Sequence, residues 1–190
     1  MNFPKIKMKS EYCATAKTLH WLVFILLLAQ YAVAIVMPEV HRDTKPVGLV
    51  ELHLSLGATI LIIVMVRLIW RIARPVSLAS VETSIWTHRT AMLTHWALYG
   101  LMILVPILGW VNTCGRGWPV HFLGLIALPA IAPVGFKNLG LVGDIHGWIA
   151  YYILTFFIAL HLGGVLYHQF VLRDNVLLRM LPSRRLKEPQ

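Results

Sequence analysis

Four apolar segments, each long enough to cross a lipid bilayer, constrain this chain more than any other feature of its sequence. They cover roughly residues 19–37, 47–72, 91–111 and 145–172. A transmembrane helix needs about 20 apolar residues. In lipid, backbone N–H and C=O groups must find partners within the protein, which favours helices. The sequence therefore predicts an all-α fold, an integral membrane four-helix bundle in a single domain over residues 1–190.

The composition supports a membrane protein and argues against a nucleic-acid partner. Hydrophobic residues make up 58% of the chain and charged residues only 13%, whereas soluble domains contain about 45–50% apolar residues. The net charge is nevertheless +9. We attribute this basic excess to orientation in the membrane, because the sequence contains no basic-aromatic motif of an RNA- or DNA-binding module. Membrane lipid is thus the expected surrounding of the chain.

Lysine and arginine are distributed unevenly between the two ends of the predicted helices. If the N-terminus is inside, 13 of the 17 basic residues fall on the inner side and 4 on the outer side. The inner residues are Lys5, Lys7, Lys9, Lys17, Arg67, Arg71, Arg74, Arg89, Arg173, Arg179, Arg184, Arg185 and Lys187; the outer residues are Arg42, Lys45, Arg116 and Lys137. Cytoplasmic loops carry such an excess. The pattern predicts a multi-pass protein with both termini in the cytoplasm.

A long loop, residues 112–143, joins the third and fourth segments on the outer side. It contains Pro119, Pro129 and Pro133 around a semi-apolar middle, together with Trp118. Prolines and an interfacial tryptophan favour a short helix that lies against the outer surface. Such a helix would be either a lid over the outer end of the bundle or an inert connector.

The nine histidines fall at distinct depths of the predicted bundle. Histidine is costly in hydrocarbon, so a histidine within a span suggests a function. The inner level contains His20, His95 and His161, with His168 two turns further on; the outer level contains His53 and His146; His41, His88 and His121 fall in loops. We interpret the loop histidines as ordinary surface residues. The fourth segment contributes a histidine at each level, with a rise of about 22 Å between them.

This arrangement suits two b-type haems, because each needs two axial imidazoles on opposite faces of the ring. Facing helices of a four-helix bundle place cofactors in this way. His20 and His161 match in depth at the inner level, and His53 and His146 match at the outer level. His95 also has a suitable depth and is the alternative inner ligand. No C-x-x-C-H motif is present, so covalent haem is not expected.

Glycines and arginines near these histidines fit the same interpretation. Gly57, Gly147, Gly163 and Gly164 would leave room for a flat macrocycle, although glycines also suit plain helix packing. We expect Arg67 to have an internal partner such as a haem propionate. Arg71 and Arg74 are expected to anchor the end of their helix at the interface.

Four segments carry a family resemblance: LHWLVFILLLAQY, ELHLSLGATILIIVMVRLIWR, THWALYGLMILVPILGW and HGWIAYYILTFFIALHLGGVLYHQFVLRDNVLLRMLP. With them, over about residues 17–182, the chain resembles the bacterial cytochrome b561 family. The resemblance implies a bacterial inner-membrane protein that holds two non-covalent b haems. It implies His20 and His161 as ligands of the inner haem iron, and His53 and His146 as ligands of the outer haem iron.

The resemblance also implies an activity. The best-understood family member is similar to a superoxide oxidase, so the expected reaction takes electrons from superoxide outside and reduces membrane ubiquinone. Arg116 and Lys137 of the outer loop are candidates for attracting the superoxide anion. His168 is a candidate for donating protons to quinone. The alternative is a cytochrome b subunit that relays electrons from a periplasmic redox partner, such as a dehydrogenase or hydrogenase, to quinone.

Two features depart from the family pattern. His146 and His161 are 15 residues apart, one more than in the family, which would rotate one ring by about 100° on an ideal helix. A π-bulge between them would absorb the extra residue. In addition, His168 is followed by Gln169 where relatives often have a second histidine, which leaves the role of that position open.

Overall fold

A computed structural model describes residues 13–41, 43–74, 85–173 and 176–181. Four helices among these residues are long and apolar enough to cross a membrane: α1 (Ala14–Val36), α2 (Leu49–Ala73), α3 (Ile85–Gly115) and a fourth span over Leu139–Leu172. The predicted all-α four-helix bundle is confirmed. Several basic residues used to infer orientation lie outside the described residues: Lys5, Lys7, Lys9, Arg42, Arg184, Arg185 and Lys187.

The fourth span is an α-helix interrupted by two π-helical turns. It consists of α4 (Leu139–Trp148), a first π-turn (Ile149–Leu154), α5 (Thr155–Tyr167) and a second π-turn (His168–Leu172). Arg173 ends it in the left-handed conformation, with φ of 51°. The short helix α6 (Val176–Met180) follows, and the indole Nε1 of Trp21 donates to the Met180 carbonyl at 2.8 Å. This bond ties the C-terminal helix to α1.

α3 and the fourth span are longer than the apolar segments that predicted them. α3 covers Ile85–Gly115 with Pro106 inside it, against an expected range of 91–111. The prediction that His88 lies in the inner loop is wrong, because His88 is in the first turn of α3. The fourth span begins at Leu139 rather than at residue 145. Polar residues at helix ends continue the backbone hydrogen bonding beyond the apolar stretch, so hydropathy alone underestimates helix length.

The expected surface helix in the outer loop is wrong. The residues between α3 and α4 form a two-stranded antiparallel hairpin, β1 (His121–Phe122) and β2 (Ile126–Ala127). A three-residue connection joins the strands, with Gly124 at φ of 70°, and a glycine in the left-handed region is common in such hairpin loops. The Leu123 N–H donates to the Thr59 hydroxyl at 3.3 Å, so the hairpin lies against α2.

The apolar core lies at mid-height, between the two histidine levels. Its buried members come from all four spans: Val23, Ile60, Val64, Leu98, Tyr99, Met102, Val105 and Leu154. Close backbone contacts of the fourth span are mainly with α3. Many large apolar side chains elsewhere on the helices are exposed, such as Ile35 and Phe156. In a membrane protein, such side chains face lipid, so their exposure requires no further partner.

Candidate functional site

The outer level is built by α2 and α4, which bring His53 and His146 together. Their ring centroids are 6.2 Å apart and their planes are nearly perpendicular, at 88°. His53 lies in the second turn of α2, and His146 lies near the end of α4. Both side chains are half-buried. The structure therefore joins the two histidines that the sequence paired at this depth.

The inner level is built by α1, α3 and α5, which bring three histidines together. The ring centroids of His20 and His161 are 6.2 Å apart, with an angle of 69° between the planes. His95 is closer to His161, at 5.1 Å. Its Nδ1 lies 2.6 Å from the Ala91 carbonyl on its own helix. His20 and His95, the two residues considered from the sequence as partners of His161, thus both lie beside it.

The residues present suit an axially ligated haem at each level. Two imidazoles that bind one iron from opposite sides, each nitrogen about 2 Å from the metal, have centroids about 6 Å apart. The His53–His146 and His20–His161 pairs both have this separation. The His95–His161 distance is about 1 Å shorter. His20 Nδ1 is also buried without a hydrogen-bond partner among the described residues.

Three of the glycines singled out in the sequence border open space. No described atom outside the local helix backbone lies within 4 Å of the position that a Cβ would occupy at Gly147, Gly163 or Gly164. These glycines are therefore not at tight helix–helix contacts here. A Cβ at Gly57 would lie 3.6 Å from Nε2 of Gln30. The open positions leave room for a planar group beside the histidines, whereas Gly57 adjoins a polar side chain.

The imidazole of His146 is held against the backbone of α3. Its Nδ1 donates to the Val105 carbonyl at 2.9 Å, which directs Nε2 away from α3. A Cβ at Gly109, one turn further along α3, would lie 3.0 Å from Cε1 of His146. A histidine that ligates a metal usually donates its other N–H to an acceptor of this kind, which fixes its tautomer and orientation. The sequence reasoning missed both α3 residues.

The first π-turn lies between His146 and His161, where the extra residue had to be accommodated. The expected irregularity of the fourth span is therefore confirmed, because Ile149–Leu154 is π-helical. A π-turn contains one residue more than an α-turn, so the two histidines recover the relative orientation of a 14-residue spacing. Tyr31 of α1 donates its hydroxyl to the Ala150 carbonyl at 2.8 Å. This bond connects the π-turn to α1.

A cleft of about 410 Å³ opens beside the outer histidine pair, within the range of about 300–1,000 Å³ that is typical of ligand pockets. Arg116 lines it together with both histidines. The Arg116 guanidinium donates through Nε to Asn112 Oδ1 at 3.1 Å and through NH1 to the His41 carbonyl at 3.1 Å. Lys137 is exposed and is not among the residues that line this cleft. Of the two basic candidates, the structure brings only Arg116 to the cleft.

At the inner level, two arginines of α2 stack on aromatic rings of α3. The guanidinium carbons of Arg67 and Arg71 lie 5.7 Å and 5.5 Å from the ring centroid of Tyr99. Arg71 also lies 5.8 Å from the Trp96 centroid. Arg67 has an internal partner as expected, although this partner is an aromatic ring. The predicted interfacial anchoring of Arg71 stays a prediction.

The remaining candidates lie away from the two pairs. His168 is half-buried in the second π-turn, with its ring 6.2 Å from that of Tyr167. The amide oxygen of the adjacent Gln169 is buried without a partner among the described residues. His41 is exposed and pairs with Glu39 at 3.4 Å, and His121 lies in β1. None of these histidines joins the groups at the two levels.

Comparison with known proteins gives a family match over most of the chain. The family described as prokaryotic cytochrome b561 matches residues 11–183. The chain is 29% identical to the probable superoxide oxidase CybB of Yersinia pestis over 178 residues, 94% of this chain and 99% of the relative. It is 26% identical to cytochrome b561 homolog 2 of Escherichia coli strain K12 over 172 residues, 90% and 91% of the two chains. It is also 27% identical to cytochrome b562 of Cereibacter sphaeroides over 177 residues, 88% of this chain and 92% of the relative.

Proposed function

This chain belongs to the prokaryotic cytochrome b561 family of membrane electron-transfer proteins, and we propose that it oxidises superoxide at its outer face and reduces ubiquinone. The net reaction converts two superoxide anions, one ubiquinone and two protons into two molecules of oxygen and one ubiquinol. Family membership implies haem b. We propose two non-covalent haems, one at each histidine level, with both termini of the chain in the cytoplasm.

The observation that carries this proposal is the equal separation of two histidine pairs at two depths. His53 and His146 at the outer level, and His20 and His161 at the inner level, both have ring centroids 6.2 Å apart. Bound haem would supply a one-electron carrier at each of these positions. The protein holds the imidazoles in place through helix packing, and the apolar core between the levels excludes water. Two such sites, which share the fourth span, support electron transfer across the bilayer.

Arg116 supports superoxide as the outer donor. Its guanidinium is fixed by Asn112 and the His41 carbonyl at the mouth of the cleft that contains His53 and His146. A fixed cation in a cleft with low-dielectric walls raises the local concentration of a small anion. The name of the Yersinia pestis relative, a probable superoxide oxidase, points to the same substrate.

His168 is the proposed proton donor at the quinone end. It lies near the inner end of the fourth span, seven residues after the proposed ligand His161. Histidine exchanges protons near neutral pH, which the reduction of quinone requires. The neighbouring Gln169 offers a buried amide oxygen that lacks a partner among the described residues, and a quinol hydroxyl could donate to it.

Rapid mixing of the purified, oxidised protein with superoxide tests the proposed donor. We expect the haem absorbance to change to the reduced b-type spectrum within the mixing experiment, and added ubiquinone to reoxidise it. The matched control is superoxide dismutase added before mixing, which should abolish the reduction. If the haem stays oxidised although dithionite reduces it fully, superoxide is not the donor. The relay subunit for a periplasmic redox partner would then be the better account.

A further inference from the structure

The hairpin of β1 and β2 extends along α2 to a depth well inside the bundle. The Leu123 N–H donates to the Thr59 hydroxyl at 3.3 Å, and a Cβ at Gly124 would lie 3.9 Å from Oγ of Ser55. Thr59 is six residues after His53 on α2, a helical rise of about 9 Å towards the middle of the bundle. The tip of the hairpin therefore lies deeper than the outer histidine pair.

This depth corresponds to the hydrocarbon of a bilayer rather than to its surface. α2 has 25 residues and is about 37 Å long, whereas the hydrocarbon is about 30 Å thick. A centred helix thus extends about 4 Å beyond the hydrocarbon at each end. Thr59 is about 15 Å from the start of α2 at Leu49, and it adjoins Ile60 of the apolar core. The hairpin tip therefore lies about 11 Å inside the hydrocarbon boundary.

The side chains of the hairpin suit an apolar surrounding. The sequence contains no aspartate, glutamate, lysine or arginine from Gly117 to Phe136. Leu123, Leu125 and Ile126 are exposed, and Leu125 is 83% accessible. Exposed apolar side chains on the spans of a membrane protein face acyl chains, and the side chains of the hairpin lie at the same depth. Contact with lipid removes their apolar surface from water.

Two N–H groups at the tip of the hairpin have partners within the protein, as insertion into hydrocarbon requires. The Leu125 N–H donates to the Phe122 carbonyl at 3.0 Å. The Leu123 N–H donates instead to the hydroxyl of Thr59. This hydroxyl donates its own hydrogen to the Ser55 carbonyl at 2.8 Å, which leaves its lone pairs for the hairpin. Thr59 thus supplies an acceptor that acyl chains lack.

We propose that residues 120–128 form a re-entrant hairpin, which enters the leaflet on the side of the outer histidine pair, contacts its acyl chains and is held at that depth by Thr59. Val120, at the base of the hairpin, is buried and lines the outer cleft. The inserted hairpin therefore also contributes a wall to that cleft. This placement depends neither on the electron donor nor on the haem ligands.

Site-directed spin labelling measures the depth of the hairpin. The full-length protein, with Cys13→Ser and Cys114→Ala, receives one new cysteine for a nitroxide, at Leu125→Cys or, in a second variant, at Ile126→Cys. The labelled protein is placed in nanodiscs of phosphatidylcholine and phosphatidylglycerol, which leave both membrane faces accessible. The nitroxide should collide more often with oxygen, which partitions into lipid, than with a water-soluble nickel complex.

Leu28→Cys and Lys137→Cys are the matched controls. Leu28 is an exposed apolar residue of α1, whereas Lys137 is exposed and lies outside the spans. Labels on the hairpin should behave like the label at position 28. Nickel collisions as frequent as those at position 137 would overturn the insertion. A label that neither oxygen nor nickel reaches would show that protein covers the hairpin, which would overturn the contact with acyl chains.

Thr59→Val tests the anchor, and Thr94→Val is its control. Both threonines are buried and donate to the carbonyl four residues earlier at 2.8 Å. Of these two hydroxyls, the one at Thr59 accepts from the hairpin. Nickel collisions of the label at position 125 should therefore increase in Thr59→Val and stay unchanged in Thr94→Val. Equal collisions in the two variants would overturn the anchoring role of Thr59.

Discussion

Gly109 of α3 lies directly beneath the imidazole of His146. A Cβ added at Gly109 would be 3.0 Å from Cε1 and 3.2 Å from Nδ1 of that ring, closer than a normal van der Waals contact. The same ring donates to the Val105 carbonyl, one turn earlier on α3. A side chain at position 109 would therefore require the His146 ring to shift by a few tenths of an ångström.

Gly109→Ala should displace the His146 ring and weaken the outer haem site. We expect about a 10–100-fold loss of haem affinity at that site, measured by haem titration of the apoprotein. Gly100→Ala on the same helix is the control, because no atom lies within 4 Å of its Cβ position among the described residues. Equal haem affinity in the two variants would show that the His146 ring does not depend on this contact.

Tyr31→Phe should destabilise the first π-turn without removing a ligand. The lost hydrogen bond to the Ala150 carbonyl should cost about 0.5–1.5 kcal/mol of folding free energy, measured by thermal unfolding in detergent. Tyr151→Phe is the matched control, because the Tyr151 side chain is 67% exposed and its hydroxyl makes no hydrogen bond with the residues that the structure describes. If both variants unfold at the parental temperature, the Tyr31 hydroxyl does not stabilise the turn.

Of the two proposed haems, the outer one should have the lower midpoint potential. His146 donates Nδ1–H to the Val105 carbonyl, which makes this ligand more basic and favours oxidised iron. At the inner level, Arg67 stacks on Tyr99, one turn after His95 on α3, and its positive charge favours reduced iron. A redox titration should show two components, the lower lost in His53→Ala and the higher lost in His20→Ala. If His53→Ala instead removes the component of higher potential, midpoint potential does not rise from the outer haem to the inner one, and the prediction is contradicted.

The long-range pattern of this fold was predictable from the sequence, because it depends on hydropathy and helix geometry. Apolar length predicted four spans, and helical rise sorted the histidines into levels. The 15-residue interval between His146 and His161, one residue longer than in the family that the chain resembles, predicted the π-turn. Each of these depends on one helix at a time, so no knowledge of how the helices pack was needed.

The contacts made across helices were not predictable in this way. Tyr31, Val105 and Gly109 carry no local motif, and their contacts depend on the rotation of one helix relative to another. The outer hairpin was missed because its prolines and Trp118 were interpreted as signs of a short surface helix. Its geometry depends on a left-handed backbone at Leu123 and Gly124, with φ of 53° and 70°.

Arg116→Gln should slow the reaction with superoxide more than Lys137→Gln does. Only Arg116 lines the cleft beside His53 and His146, and electrostatic steering by such a cation contributes at least about 10-fold to association rates. In Arg116→Gln, the rate should also depend less on ionic strength, because the positive charge that salt screens has been removed. Stopped-flow reduction at several salt concentrations measures both effects. Equal rates in the two variants would show that Arg116 does not attract superoxide to the outer site.

The number of haems per chain in histidine variants tests the central claim most directly. The pyridine haemochrome assay should give two haems per chain in the parent protein and in His95→Ala, and one in His53→Ala and in His20→Ala. His88→Ala, which changes an exposed residue of α3, should keep two and serves as the control for handling. A parent protein with fewer than two haems would contradict the proposal of one haem at each level, and a His20→Ala protein that keeps two would contradict the pairing of His20 with His161.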